Sequence, residues 1–116
     1  MALTTDGQTL YNERKAAIDR MYNAINQMGS HGCVYADQQK KYRIALARAV
    51  AAERDKGTPA AVALTMAKGT EKVAEIERLM EEARAKSEMF GEYGRAYKTE
   101  ANFLNEEIQR QWGVTK

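Results

Sequence analysis

Apolar and small side chains recur in alternating steps of three and four residues through the last third of the chain. The positions are Val73, Ile76, Met80, Ala83, Ser87, Phe90, Gly94, Tyr97, Ala101, Leu104 and Ile108. This spacing is typical of the a/d seam of a helix that packs lengthwise on other helices. A helix over 73–108 would be ~54 Å long, whereas a compact domain of this chain length has a diameter of roughly 35 Å. The pattern therefore predicts a long helix, over about 70–112, that bends, projects or meets a partner.

Shorter amphipathic stretches precede the long helix. Their apolar positions and alanines predict helices over about 9–28, 36–56 and 59–67. Gly29 lies where the end of a helix favours a left-handed residue, so we expect a turn from Gly29 to Cys33. The predicted fold is all-α, a helical bundle of three shorter helices packed along one long C-terminal helix, in a single domain that spans the 116 residues.

Glycine, threonine and proline mark the predicted helix ends. We expect Gly57 to end the second helix, Thr58 to cap the third and Pro59 to take its first position, where no amide donor is lost. Gly69 then closes the third helix, and Thr70 caps the long one.

Two glycines, Gly91 and Gly94, lie inside the predicted long helix. Each costs ~1 kcal/mol relative to alanine in a helix interior. They either let another backbone approach closely beside Phe90 and Tyr97, or they kink or break the helix. We expect close packing at this point.

Composition narrows the class of protein. With 44% hydrophobic residues, 29% charged residues and one proline, the chain has the composition of a globular domain and not of a disordered segment. No apolar run approaches the ~18 residues of a membrane-spanning helix, and no secretory signal is visible. The single cysteine, Cys33, excludes an intramolecular disulfide and fits a reducing compartment. We therefore expect a cytoplasmic protein.

The formal net charge of +2 is too small to demand a nucleic-acid partner, but the charge is unevenly distributed. Residues 1–69 carry +4 and residues 70–116 carry −2, so we expect the two segments to lie side by side and screen each other. A basic patch is the candidate nucleic-acid site, since it can neutralise a few phosphates; its residues are Lys40, Lys41, Arg43 and Arg48. The alternative is an ordinary solvated or intramolecularly paired face.

Candidate catalytic chemistry is weak. His31 and Cys33 are two residues apart in the predicted turn, where a nucleophile and its base rarely keep hydrogen-bond geometry. As metal ligands they supply two of the three or four that a zinc site needs. The sequence contains no glycine-rich phosphate loop and no nucleotide fingerprint. We expect no enzyme activity, no cofactor and no metal.

A partner-binding surface is the best supported candidate site. Large and small side chains alternate along the second half of the long helix, and the candidate interface consists of Phe90, Gly94, Tyr97, Ala101, Leu104, Ile108 and Trp112. An exposed stripe rich in aromatic residues is usually an interface. The alternative is that the same residues form the core of the monomer. The pattern favours self-association or partner binding.

Three short motifs carry a resemblance to a known group of proteins. They are Arg54–Pro59 (RDKGTP), Met66–Gly69 (MAKG) and Gln109–Gly113 (QRQWG) at the end of the long helix. Over about residues 40–113 this layout resembles small, uncharacterised all-helical accessory proteins of tailed bacteriophages. The resemblance implies a small phage accessory protein and carries over no catalytic residue.

These observations together predict a non-enzymatic phage protein that acts by protein binding in the host cytoplasm. The expected action is inhibition of a host defence component, as anti-CRISPR proteins do, with a second copy of the chain, a host protein or both as partner. One alternative is a nucleic-acid-binding accessory of phage replication or recombination. Another is a virion-assembly or scaffolding protein built from the coiled-coil seam.

Overall fold

The protein is helical throughout the part that the structure describes. The structure is a computed structural model that describes residues 3–113, with side chains over 7–112. Helix α1 is Leu3–Asp55, α2 is Ala60–Lys68 and α3 is Glu71–Gly113, and no strand occurs among these residues. The all-α class is confirmed, and the bounds predicted for the last two helices differ from α2 and α3 by one residue at each end.

The predicted turn between 29 and 33 is wrong, since α1 continues through it for 53 residues. A three–four repeat on α1 crosses this region, and apart from exposed Met28 its members are buried or half-buried: Leu10, Arg14, Ala17, Met21, Ala24, Met28, His31, Tyr35, Gln38, Tyr42, Ala45 and Ala49. Gly29 and Gly32 each cost the helix ~1 kcal/mol relative to alanine. Continuous packing of the repeat offsets that cost. The chain therefore has three helices over 3–113, not four.

The contacts of the chain fall into two compact units. The first joins Met1–Met28 to Glu88–Lys116. Here α1 and α3 run antiparallel, because a Cβ built on Gly7 would lie 3.9 Å from Gln111 while one on Gly91 would lie 3.2 Å from Met28. The core cluster of this unit comprises Ala17, Ala101 and Leu104, with Leu10 and Ile18 packed against it.

The second unit, Gly29–Ser87, contains the C-terminal half of α1, all of α2 and the first part of α3. The helices are again antiparallel, since Gly32 lies near Ser87 and Tyr42 near Glu77. Its buried apolar side chains are Ala45, Ala63, Ala67, Val73, Met80 and Ala83. In both units most of the buried apolar side chains are alanines, which let two helices approach closely but remove little apolar area from water.

The corner between α1 and α2 differs from the prediction in its capping. Gly57 has φ +90° and follows the end of α1, as expected. Thr58 does not cap α2; its hydroxyl donates to Glu53 Oε2 at 3.0 Å, and Pro59 takes the N-cap position without a side-chain hydrogen bond. Thr70 directly precedes α3, but its hydroxyl donates backward to the Ala67 carbonyl at 2.8 Å. Both threonines therefore stabilise the preceding segment.

The a/d seam predicted for α3 is its packing face. All eleven positions from Val73 to Ile108 are buried or half-buried. The helix is unbroken at both internal glycines. A Cβ on Gly94 would lie 3.7 Å from Ile25 Cγ1, and one on Gly91 only 3.2 Å from Met28 Sδ. Side chains of α1 therefore pack on both glycines, and the alternative of a break in the helix is wrong.

Candidate interaction surfaces

The candidate interface residues differ in burial. Gly94, Ala101 and Leu104 are buried in the packing of α3 on α1 within the first unit. Phe90, Tyr97 and Ile108 are half-buried on the same seam, and Trp112 is 65% exposed. Because the buried residues already contact α1, another protein that binds here would contact the half-buried and exposed residues at the edges of the seam and not the residues at its centre.

A second apolar stripe lies on α1 beside the seam. It consists of Tyr11, Ile18, Tyr22 and Ile25, one position after the a/d repeat; the exposed Lys15 occupies the intervening position of the spacing between Tyr11 and Ile18. Tyr11 is 55%, Tyr22 59% and Ile25 42% exposed, and Ile18 is half-buried.

A groove runs beside this apolar stripe in the first unit. Its lining includes Met21, Ile25 and Met28 from α1 and Gly91 and Gly94 from α3, and its volume is about 190 Å³. We call it the glycine groove, because the two glycines place no side chain in it. A neighbouring groove of about 230 Å³ shares Met21 and Lys98 with it, is lined by Ile18 and Tyr22, and ends near Asn105. Ile18, Tyr22 and Ile25 of the apolar stripe therefore line the two grooves, together with the cations Arg14, Arg95 and Lys98.

Other large apolar side chains of the first unit are exposed on α3. Met89 is 40% and Phe103 58% exposed, and Tyr93 is also exposed. The Tyr93 ring meets the Phe90 ring edge-on, with centroids 5.9 Å apart and planes at 82°. This aromatic pair holds Tyr93 beside the seam, while Met89 and Phe103 lie about four turns apart on a different face of α3.

The four cations of the candidate nucleic-acid site are exposed but do not share a face. Lys41 and Arg48 are seven residues apart, two turns of α1, and line one groove together with Lys72 of α3. We call this the basic groove; its apolar lining is Ile44, Ala45 and Ile76, and its volume is about 230 Å³. Lys40 and Arg43 do not line it. Lys72 was not predicted, because it is 24 residues from Arg48 in the sequence.

The acidic segment of α3 is neutralised along its own helix. Arg78 pairs with Glu75 at 2.8 Å and with Glu82 at 3.1 Å, and Lys86 pairs with Glu82 at 2.9 Å. The hydrogen bond from Arg78 lowers the pKa of Glu75, and that from Lys86, with a smaller contribution from Arg78, lowers the pKa of Glu82. The candidate basic residues of α1 form no ion pair with a described residue, so the alternative of an intramolecularly paired basic face is not found there.

One polar contact does cross between α1 and α3 in the second unit. The Tyr42 hydroxyl hydrogen-bonds to the Glu77 carboxylate. Burial raises the pKa of Tyr42, and the hydrogen bond and negative charge of Glu77 raise it further. This contact joins α1 to α3 in the second unit, one residue from Lys41 in the sequence.

His31 and Cys33 lie on α1 and not in a loop. Residues two positions apart in an α-helix are rotated by about 200° around the helix axis, so the side chains of His31 and Cys33 project from opposite sides of α1. Cys33 is exposed, while half-buried His31 lines a small groove with Glu82 and Lys86. This geometry does not bring the imidazole and the thiol together as a nucleophile and its base. Among the side chains described, no three His, Cys, Asp or Glu residues are grouped as metal ligands.

No helix of the described chain combines the length and the apolar character needed to cross a membrane. The chain matches no protein-family model, no curated protein and no solved structure.

Proposed function

We propose that the protein is a non-enzymatic binding protein, a phage accessory that acts in the host cytoplasm by inhibiting a host defence component in the manner of anti-CRISPR proteins. The observation that carries the binding part is the apolar stripe on α1 beside the glycine groove. The phage origin and the defence target rest on the resemblance of residues 40–113.

The area of the apolar stripe supports an interface. A tyrosine buries ~150–250 Å² when fully covered. With Tyr11 and Tyr22 more than half exposed and Ile25 42% exposed, the stripe presents on the order of 300 Å² of apolar side-chain surface, about the size of the largest apolar patch on a typical monomer, a patch that is often functional. Covering it would contribute roughly 7 kcal/mol at ~25 cal/mol per Å² before the costs of association.

We propose a second copy of the chain as the first partner. The first unit contains only two packed helix segments, whereas amphipathic helices with three apolar columns normally pack against more than one neighbour. Two copies that meet along the apolar stripe would place four helix segments around a common core. The predicted bundle packing would then arise between chains. The glycine groove would accept a large side chain such as Tyr22 of the other copy.

Light scattering after gel filtration tests the self-association. At ~100 μM the chain is expected to run as a dimer or larger species, since even a weak Kd would populate it at that concentration. Tyr22→Arg should give a monomer with unchanged helical circular dichroism. Met89→Arg is the matched control, because Met89 is also an exposed apolar residue of the first unit but lies outside the apolar stripe. A monomeric wild type, or equal effects of the two substitutions, contradicts the proposal.

A plating assay tests the inhibitory function. The protein is expressed in a panel of bacterial strains, each with one active defence system, and the plating of a targeted phage is counted. We expect restored plating in one strain with the wild type and with Met89→Arg, and none with Tyr22→Arg. If wild-type protein changes plating in no strain, the defence-inhibition proposal fails, while self-association is judged separately by light scattering.

A further inference from the structure

We infer that the basic groove of the second unit binds the phosphate backbone of a single-stranded nucleic acid. The inference is independent of the proposed protein interface, because the basic groove lies in the second unit and the apolar stripe in the first.

The three cations of the basic groove are available to an anion. Lys41, Arg48 and Lys72 are exposed and form no ion pair with a described residue, in contrast to Arg78 and Lys86 of α3. Of the α3 carboxylates near Lys72 in the sequence, Glu75 is paired with Arg78, and Glu77 accepts the hydrogen bond of the Tyr42 hydroxyl. An extended polyanion is the ligand that best complements cations contributed by two neighbouring helices.

The spacing and the lining of the basic groove favour a single strand. Lys41 and Arg48 are separated by two helical turns, ~10.5 Å along the axis, so one strand can contact both. Buried Ala45 and half-buried Ile76 lie between the cations, with Ile44 44% exposed beside them. This apolar lining offers a surface to an unstacked base, which a duplex does not present. Such readout is independent of sequence.

The other two cations of α1 provide a matched control. Lys40 and Arg43 are exposed, carry the same charges and lie on the same helix, but they are outside the basic groove. Replacing them changes the net charge of the protein as much as replacing Lys41 and Arg48. If binding falls on replacement of the groove cations but not on replacement of Lys40 and Arg43, the loss is due to the position of the charges in the groove and not to the overall charge.

The experiment is fluorescence anisotropy of a labelled 30-nucleotide single strand at several salt concentrations, with the full chain. Three phosphate contacts predict a slope of log K against log salt of about −2.1 for a single strand, or roughly an 18-fold loss of affinity between 50 and 200 mM salt. Lys41→Ala, Arg48→Ala or Lys72→Ala should each weaken binding about fivefold at 0.1 M salt and make the slope less negative by ~0.7. Lys40→Ala/Arg43→Ala should leave both values unchanged.

Two further arms identify the ligand class. Ile44→Ala should weaken binding while the salt slope stays the same, because it removes apolar contact and no charge. A duplex of the same sequence should bind more weakly than the single strand. The inference is overturned by absence of binding at 25 mM salt, by equal loss in the control pair, by tighter binding of the duplex, or by a polyglutamate peptide that binds as tightly with the same sensitivity to Lys72→Ala.

Discussion

Gly29→Ala is expected to stabilise the protein, because Gly29 lies inside α1 and not at the end of a helix. The residue is exposed, and a Cβ built on it would meet no atom within 4 Å. Its φ is not positive, since Gly57 has the only positive φ among the glycines that the structure describes. An alanine is thus accommodated without strain or collision.

The size of the gain follows from helix propensity. Alanine is favoured over glycine by ~1 kcal/mol in a helix interior. With an unfolding entropy of ~2.1 cal/mol/K per residue over 116 residues, ~1 kcal/mol corresponds to a rise in Tm of about 4 °C. The increase should also raise the urea midpoint at constant m-value.

Gly57→Ala is the matched control, since it too is exposed and its added Cβ would meet nothing within 4 Å. Its φ of +90° is unfavourable for any residue with a Cβ. We expect this variant to lose ~1 kcal/mol or more, so the same substitution at two open sites should have opposite signs. If Gly29→Ala also lowers the Tm, then Gly29 ends a helix in a left-handed conformation and the continuous α1 is refuted.

Three further changes test the packing and the polar contacts. Ala17→Leu adds volume at a fully buried site of the core cluster, so we expect a loss of ~1–3 kcal/mol in urea unfolding, and a neutral result would contradict close packing there. Tyr42 has a raised pKa in the folded state, so the neutral ring stabilises the fold below pH 10 and that contribution is lost as the pH rises through the folded pKa. Tyr42→Phe should therefore show a smaller drop in stability above pH 10 than the wild type, and parallel curves would contradict the raised pKa. Thr58→Val removes the hydrogen bond to the largely buried carboxylate of Glu53 and should cost ~1.5–3 kcal/mol, measured against Thr58→Ser, which keeps the hydroxyl.

Helix ends were predictable where the signal is local. Gly57 adopts a positive φ, and Pro59 can start a helix but not continue one. Three consecutive residues, from Gly57 to Pro59, therefore determine where the corner before α2 lies. The capping partners were not predictable in the same way. Thr58 reaches back five residues to Glu53, and the choice between that carboxylate and an amide of α2 depends on the path of the backbone at the corner.

The central part of α1 shows the limit of local signals. A glycine in mid-helix and a glycine after a helix have the same chemical identity, and Gly29, Ser30 and Gly32 together favour a turn when read alone. The seam positions near them, His31, Tyr35 and Gln38, are polar or amphipathic and hide the repeat. Packing on the neighbouring segment is what offsets the poor propensity.

The candidate sites were partly predictable. Lys41 and Arg48 share a groove because they are two helical turns apart, and this spacing can be read directly from the sequence. Lys40 is rotated ~100° from Lys41 by the geometry of the helix, so closeness in sequence did not make one site of the four cations. Lys72 joins the basic groove only because α3 packs antiparallel to α1 in the second unit.

The amino-acid sequence by itself determined the helical class, the seam of α3 and the corner at Gly57, because these depend on periodicity and on the conformational limits of single residues. Tertiary structure alone decided that α1 is continuous, that Gly94, Ala101 and Leu104 pack within the chain, and that the apolar stripe is exposed. Each of these depends on which helix segment lies opposite. A three–four repeat specifies that a face will be covered, whereas the partner is selected by contacts between residues far apart in the chain.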